Sequence, residues 1–115
     1  MKKIEAIIRP EKMAAIKDAL AQYGINSMTV SEVMGCGLQK GWTDSTDWQE
    51  FNLQLLPKVK IEIVVTTAQV APIIALLSAN ARSGEVGDGK IFVFSIHEAI
   101  NLSNAETGDQ SLESE

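Results

Sequence analysis

The stretch Ser83-Gly84-Glu85-Val86-Gly87-Asp88-Gly89-Lys90-Ile91-Phe92-Val93 places three glycines just before an apolar run. Glycine has no Cβ, so its backbone reaches positive φ and can approach a ligand closely. Successive N–H groups in such a turn can form an anion nest, and Arg82 and Lys90 bracket the loop with positive charge. The pattern predicts a phosphate-binding loop, because phosphate needs N–H donors and cations. A glycine-rich loop is also typical of an ordinary hairpin turn, and the glycines by themselves leave that alternative open.

The composition indicates one globular domain. The chain has 115 residues, 45% of them hydrophobic and 22% charged, enough for one modest core that oligomerisation would help to complete. No apolar run approaches the ~20 residues that span a bilayer, and the first residues lack a signal-peptide pattern. We therefore expect no direct membrane insertion. The net charge of −5 argues against a nucleic-acid surface, and the single Cys36 favours a reducing cytoplasm.

Hydrophobic periodicity predicts four strands and two helices. The predicted strands span residues 2–9, 27–35, 59–65 and 91–96. An amphipathic helix is expected over 11–23, with Gly24 as its C-terminal cap. Thr66 and Gln69 have capping-box spacing before the second helix. Pro72 leaves two alternatives, a start near Ala71 or a helix that tolerates one lost backbone bond.

This order of elements predicts an α+β fold, a ferredoxin-like βαββαβ sandwich with both helices on one face of the sheet. Val30, Val33, Ile61 and Val65 are expected on the uncovered face, which would be buried against other copies of the chain. Residues 38–56 have no clear period, and such a long loop is usually functional or disordered.

The local order of residues resembles that of the PII signal-transduction family. The resemblance rests on a signature in the glycine-rich stretch and on matching segments through most of the chain. These segments are Gly87-Asp88-Gly89-Lys90-Ile91-Phe92, residues 1–10, 24–30, 39–41 and 56–65, and Glu106-Thr107-Gly108. It implies a single PII-like domain over 1–110, a long flexible loop over 37–56 that is similar to the T-loop of the family, and an acidic tail over 111–115. It also implies a homotrimer with ligand clefts between neighbouring copies.

The resemblance further implies that each cleft binds ATP or ADP, usually with Mg²⁺ and 2-oxoglutarate. The implied nucleotide-binding residues that match the family are Thr29, Gly35, Gly37, Glu62, Val64, Arg82, Gly87, Asp88, Gly89 and Lys90. Within this set, Thr29, Glu62 and Val64 would hold the adenine. The implied effector-binding residues are Gln39, Lys40, Gly41 and Lys58, with Gln39 also reaching Mg²⁺. Alternatively, Lys58 and Glu62 are solvated strand charges and Gln39 is an ordinary loop residue.

Three positions depart from the family pattern. Leu38, Asn101 and Ser103 stand where the family usually has arginine. A triphosphate would lose three charge-assisted hydrogen bonds, although Asn101 and Ser103 still donate neutral ones and stay in the predicted nucleotide site. We therefore predict no preference for ATP over ADP or AMP.

The long loop also departs from the pattern. Phe51 stands where relatives carry a modifiable tyrosine, and Gln49 where some carry a phosphorylatable serine. A phenyl ring has no hydroxyl, which excludes uridylylation at that position. Trp42, Trp48 and Phe51 are the predicted partner-binding side chains, since aromatic residues commonly anchor protein contacts. The alternative is that the tryptophans fold back onto the trimer.

The resemblance implies a regulatory protein, not an enzyme, that acts on a membrane transporter or an enzyme of nitrogen or carbon metabolism. Its second effector is either 2-oxoglutarate or bicarbonate, and the sequence does not choose between them. Two other classes stay open, a slow nucleotide hydrolase and a structural trimer with a degenerate cleft. Cys36 is expected to be a small packed residue, and the lone His97 predicts no metal site of the usual kind.

Overall fold

The computed structural model describes residues 1–37 and 54–113. Four strands and two helices follow in the predicted order. They are β1 (Lys2–Ile8), α1 (Met13–Tyr23), β2 (Thr29–Gly37), β3 (Gln54–Val65), α2 (Val70–Ala81) and β4 (Gly89–Ser95). The strands form one antiparallel sheet in the order β2-β3-β1-β4. The predicted βαββαβ arrangement is confirmed.

One face of the sheet carries the core. The register pairs Ile4 with Ile63 and Ala6 with Ile61, so these side chains share a face, and all four are buried. Both helices cover this face with buried aliphatic side chains, which are Ile16, Leu20, Ile73 and Leu77.

The face of the sheet that the helices leave uncovered carries different residues from those predicted. Ile61 and Val65 are buried under the helices, and Val30 pairs with Ile61 and therefore lies on the same side. Of the four predicted residues, Val33 lies on the open face, opposite Lys58. The charged residues of β3 decide which side chains face the helices. Lys60 and Glu62 alternate with the core residues, and their charges cannot be buried under the helices.

The helix ends follow local chemistry. Gly24 caps α1 at φ 111° and donates its N–H to the carbonyls of Leu20 and Ala21. The capping box between Thr66 and Gln69 is present and closes a 3₁₀ turn before α2. Pro72 lies in the first turn of α2, where an N–H has no intrahelical partner. The first alternative is therefore confirmed: α2 begins at Val70, next to Ala71, and Pro72 costs it no backbone hydrogen bond.

Several boundaries move from their predicted positions. β2 runs two residues further than expected, and β4 begins at Gly89 because its pairing with β1 continues to Ile8. Residues 54–56, predicted as loop, pair with 35–37 on β2. The chain also does not leave the domain at residue 110, since 108–112 form a 3₁₀ helix in which Ser111 and Leu112 are partly buried. Alternation rules locate strands but do not encode where pairing stops.

Candidate functional site

The glycine-rich loop (residues 83–89) is organised around one carboxylate. Asp88 accepts hydrogen bonds from the backbone N–H of Ser83 at 2.8 Å and of Gly84 at 2.9 Å. The Ser83 hydroxyl donates a further, short hydrogen bond to it. These bonds, led by those from Ser83, hold the pKa of Asp88 well below its usual range. The carboxylate is therefore ionised at neutral pH and closes the loop on itself.

Arg9 ties this loop to the sheet, a role the sequence analysis missed. Its Nε lies 3.1 Å from Oδ1 of Asp88, and its Nη2 donates to the carbonyl of Val86 at 2.9 Å. The strand register is the signal that could have indicated this role of Arg9. β1 and β4 pair through Ile8 and Gly89, so the residue after Ile8 meets the residue before Gly89.

Lys58 approaches the same loop from β3. Its Nζ donates to the carbonyl oxygen of Gly87 at 2.5 Å. A Cβ on Gly87 would lie 3.3 Å from Nη2 of Arg9 and 3.8 Å from Nζ of Lys58. Two cations therefore converge on Gly87, Arg9 through its pair with Asp88 and Lys58 through the carbonyl oxygen of Gly87.

The loop glycines are required by the backbone. Gly87 has φ 97° and Gly89 has φ 117°, a region that other residues rarely adopt. A Cβ on Gly89 would lie 1.7 Å from the carbonyl oxygen of Ile7. The loop therefore enters β4 along a path open only to glycine.

The bracketing cations predicted from sequence lie beside a cavity of about 370 Å³ between α2 and β4. Arg82 is at the C-terminal cap of α2 and Lys90 is the second residue of β4, and both are exposed. They line the cavity together with Asp88 and Gly89. Four of the predicted phosphate-binding residues, Arg82, Asp88, Gly89 and Lys90, thus border one cavity, and Gly87 does not line it.

The predicted adenine-binding residues lie elsewhere in the chain. Thr29 pairs with Glu62 across strands, and Val64 follows on the same open face. They line a separate cavity of about 260 Å³ that Ser111 and Leu112 also border. Glu62 is additionally in an ion pair with Lys3 at 3.2 Å. Within residues 1–37 and 54–113, the adenine-binding set and the glycine-rich loop border different cavities.

Asn101 and Ser103 form a C-terminal turn (residues 101–106). Oδ1 of Asn101 accepts the N–H of Ser103 at 3.0 Å and its hydroxyl at 2.8 Å. Backbone bonds between Asn101 and Glu106 and between Ala105 and Asn101, both 2.8 Å, close the turn. Neither Asn101 nor Ser103 lines the cavity beside the glycine-rich loop.

Gly35 lies against the side chain of Lys58, since a Cβ there would lie 3.0 Å from Cγ of Lys58. Gly37 ends β2. The other predictions for the long loop fall outside the described residues. They concern Leu38, Gln39, Lys40, Gly41, Trp42, Gln49, Trp48 and Phe51.

Cys36 differs from the expectation that it is a small packed residue. It is exposed and not packed, and it lies where β2 and β3 pair with each other past the end of β1. Within residues 1–37 and 54–113, no cluster of His, Cys, Asp or Glu could hold a metal ion. No helix in the same two ranges is long and apolar enough to cross a membrane.

Comparison with known proteins gives a consistent result. The family model described as nitrogen regulatory protein P-II matches residues 1–106. The nitrogen regulatory protein P-II of Klebsiella oxytoca is 46% identical over 112 residues, covering 97% of this chain and all of that protein. Nitrogen regulatory protein P-II 1 of Escherichia coli is 45% identical with the same coverage. Nitrogen regulatory protein P-II 2 of Methanothermobacter thermautotrophicus is 42% identical, covering 97% of each chain.

The family resemblance read from the sequence is thereby confirmed. Proteins of this family bind small effectors, form trimers and interact with target proteins. The hydrolase alternative is excluded, in agreement with the prediction that this protein is not an enzyme. The chain belongs to the nitrogen regulatory protein P-II family, whose members are regulatory signal-transduction proteins.

Proposed function

We propose that this protein assembles as a cytoplasmic homotrimer and binds ADP, AMP or ATP in the clefts between its copies. Nucleotide occupancy sets the state of the 37–56 segment. That segment then binds or releases a membrane transporter or an enzyme of nitrogen or carbon metabolism. Such control requires the ligand to bind one state of the segment more tightly than the other.

The observation that carries this proposal is the preformed glycine-rich loop. Asp88 fixes its shape, and Arg9 and Lys58 bring positive charge to Gly87. Lys90 follows on the adjoining strand. A loop already held in one conformation loses little entropy when it binds phosphate.

The distribution of the predicted residues supports a cleft between copies. The loop borders one cavity, whereas Thr29, Glu62 and Val64 border another. A nucleotide that uses both sets therefore needs its two halves from different copies. The open face of the sheet carries Phe92 and Phe94, both more than 40% exposed, and assembly would bury them.

The charge near the loop favours nucleotides with fewer phosphates. Arg9 is already bonded to Asp88, and leucine, asparagine and serine replace the three family arginines at 38, 101 and 103. We expect ADP or AMP to bind at least as tightly as ATP. Calorimetric titration of the three nucleotides, with and without Mg²⁺, tests this order, and a clear preference for ATP would contradict it.

Lys90→Ala tests the position of the phosphates. Loss of one charge-assisted hydrogen bond, about 1.5–3 kcal/mol, should weaken ADP binding by about tenfold or more. Lys17→Ala on the exposed side of α1 is the matched control and should bind as the wild type does. If no adenine nucleotide at millimolar concentration shifts the melting temperature, the structural-trimer alternative replaces the proposal.

Bicarbonate is a second candidate effector, because Lys58 and Arg9 converge on one small region around Gly87. A singly charged anion needs fewer cations than the dicarboxylate 2-oxoglutarate. Titration of each anion into the nucleotide complex separates the two. Lys58→Gln should weaken whichever one binds, and an unchanged affinity would remove Lys58 from the effector site.

A further inference from the structure

We infer that the C-terminal 3₁₀ helix (residues 108–112) is one wall of the pocket that takes the base of the nucleotide, and that Leu112 contacts a face of the base. This inference rests on the proposed nucleotide binding. It gives a role to a segment that the glycine-rich loop and the long loop leave unexplained.

The C-terminal 3₁₀ helix is anchored to the domain. Its first residue, Gly108, donates its N–H to the carbonyl of Ala99 at 3.1 Å, and Ile100 pairs with Thr107 just before it. The hydroxyl of Ser111 donates to the carbonyl of Gly108 at 2.6 Å. The helix lies against β3. A segment held in this way offers a fixed surface to a ligand, and little entropy is lost when the ligand binds.

The cavity beside this helix stays open while the helix is in place. Its volume is about 260 Å³, and Ser111 and Leu112, both partly buried, border it without filling it. Pockets that hold a whole drug-sized ligand measure about 300–1,000 Å³, so this cavity suits one part of a nucleotide. The helix is therefore a wall of the cavity and not a plug that a ligand must displace.

The lining of the cavity matches a flat ring with a polar edge. Its apolar side chains include Met28, Val64 and Leu112, which suit the faces of an aromatic ring. The hydroxyl groups of Thr29 and Ser111 border the same space and can donate or accept hydrogen bonds. A nucleobase has both features, because its faces are apolar and its edges carry polar atoms.

The charges of the cavity favour the base over the phosphates. Glu62 and Glu113 border it, and its lining within the described part of the chain contains no Lys or Arg. Glu62 also pairs with Lys3 at 3.2 Å. The like charge of a carboxylate disfavours phosphate, whereas an ionised carboxylate accepts hydrogen bonds from N–H groups. The cavity is thus suited to a neutral base that carries an amino group.

Leu112→Asp is the primary test, with ADP, AMP and ATP binding measured by calorimetry. A carboxylate against the face of the base should weaken ADP binding by about tenfold or more. The three nucleotides should lose the same factor, because they share the base and differ in the phosphates. Leu112→Met keeps the apolar contact and should bind as the wild type does.

Gln110→Asp is the matched control. It adds the same charge to the same helix, at an exposed residue that does not line the cavity. Its affinity for ADP should equal that of the wild type.

A photoaffinity label tests the contact without a substitution, and so covers the case in which Leu112→Asp fails to fold. 2-Azido-ADP and 8-azido-ADP carry the reactive group on different edges of the purine. At least one of them should label residues 107–113, which cleavage after Glu106 and Glu113 releases as one peptide. Excess ADP should prevent the labelling.

Unchanged ADP affinity in Leu112→Asp, or no label in residues 107–113 from either azide, would overturn the inference. A loss that grows with the number of phosphates would also overturn it, because the effect would then act on the phosphates. If the wild type still binds ADP, only the wall fails. If the wild type binds no adenine nucleotide, the proposed function fails as well.

Discussion

The glycine-rich loop and the C-terminal turn are both held closed by hydrogen bonds, but the accepting groups differ chemically. Each is closed by one side-chain acceptor, the carboxylate of Asp88 in the first and the amide oxygen of Asn101 in the second. The first is also bonded to Arg9 and Lys58 from the sheet. The second is closed by bonds among its own residues. Charge and long-range contacts therefore couple the loop to the sheet, whereas the bonds described for the turn run among its own residues.

Gly89→Ala should break this coupling most severely. Its Cβ would overlap the carbonyl oxygen of Ile7, and φ 117° is strained for alanine. We expect a loss of about 3 kcal/mol or more in the free energy of unfolding, since a strained backbone and a displaced strand add. Urea unfolding measures it.

Gly84→Ala is the control for that substitution. Gly84 has φ 89°, but nothing lies within 4 Å of its Cβ position. Only the conformational cost of about 1–2 kcal/mol should appear. Equal losses for the two variants would show that steric overlap at Gly89 is not the cause.

Asp88→Asn should loosen the loop while the sheet stays folded. The amide keeps one acceptor oxygen but loses the charge that Arg9 and the N–H groups of Ser83 and Gly84 share. Hydrogen exchange should accelerate at Ser83 and Gly84. Exchange in the C-terminal turn should not change, and faster exchange there would contradict its local character.

Acidification should mimic that substitution in the wild type. The folded pKa of Asp88 is lowered, so its contribution is complete above its unfolded value of about 3.9. That contribution is lost as the pH falls through the folded pKa. The stability difference between wild type and Asp88→Asn, measured in urea at pH 7, 4 and 3, should therefore shrink with falling pH. A constant difference would mean that the charge of Asp88 does not stabilise the loop.

Asn101→Ala should give the smallest effect. Removing the acceptor for the N–H and hydroxyl of Ser103 should cost about 1 kcal/mol, read from urea unfolding. Asn101→Asp keeps an acceptor and should preserve the turn. If the turn meets nucleotide in a neighbouring copy, the added charge of Asn101→Asp should still weaken ADP binding. Unchanged binding would separate Asn101 from the nucleotide site.

The sequence predicted the order of elements well because each depends on local rules. Alternation marked β1 and β3, Gly24 marked the end of α1, and Thr66 with Gln69 marked the start of α2. These signals lie within a few neighbouring residues.

The errors share one cause, which is dependence on pairing. The pairing register of β3 decides which face of the sheet Ile61 and Val65 occupy. The start of β4 is decided by its pairing with β1. The role of Arg9 follows from its approach to Asp88, 79 residues away in the chain. No local pattern encodes such distances, although the register of β1 against β4 would have indicated this one.

On the N-terminal side of Val59, residues 54–58 of β3 no longer pair with β1 and pair with β2 alone. Pro57 is tolerated there, because its missing N–H faces fewer pairing demands. Pairs from Val33–Lys58 to Gly37–Gln54 thus form a two-stranded arm about 17 Å long, and such arms are barely stable on their own. Its direction is fixed at the root, where Lys58 packs on Gly35 and holds Gly87. Lys58 therefore joins the base of this arm to the glycine-rich loop, so a substitution at Lys58 should disturb both at once.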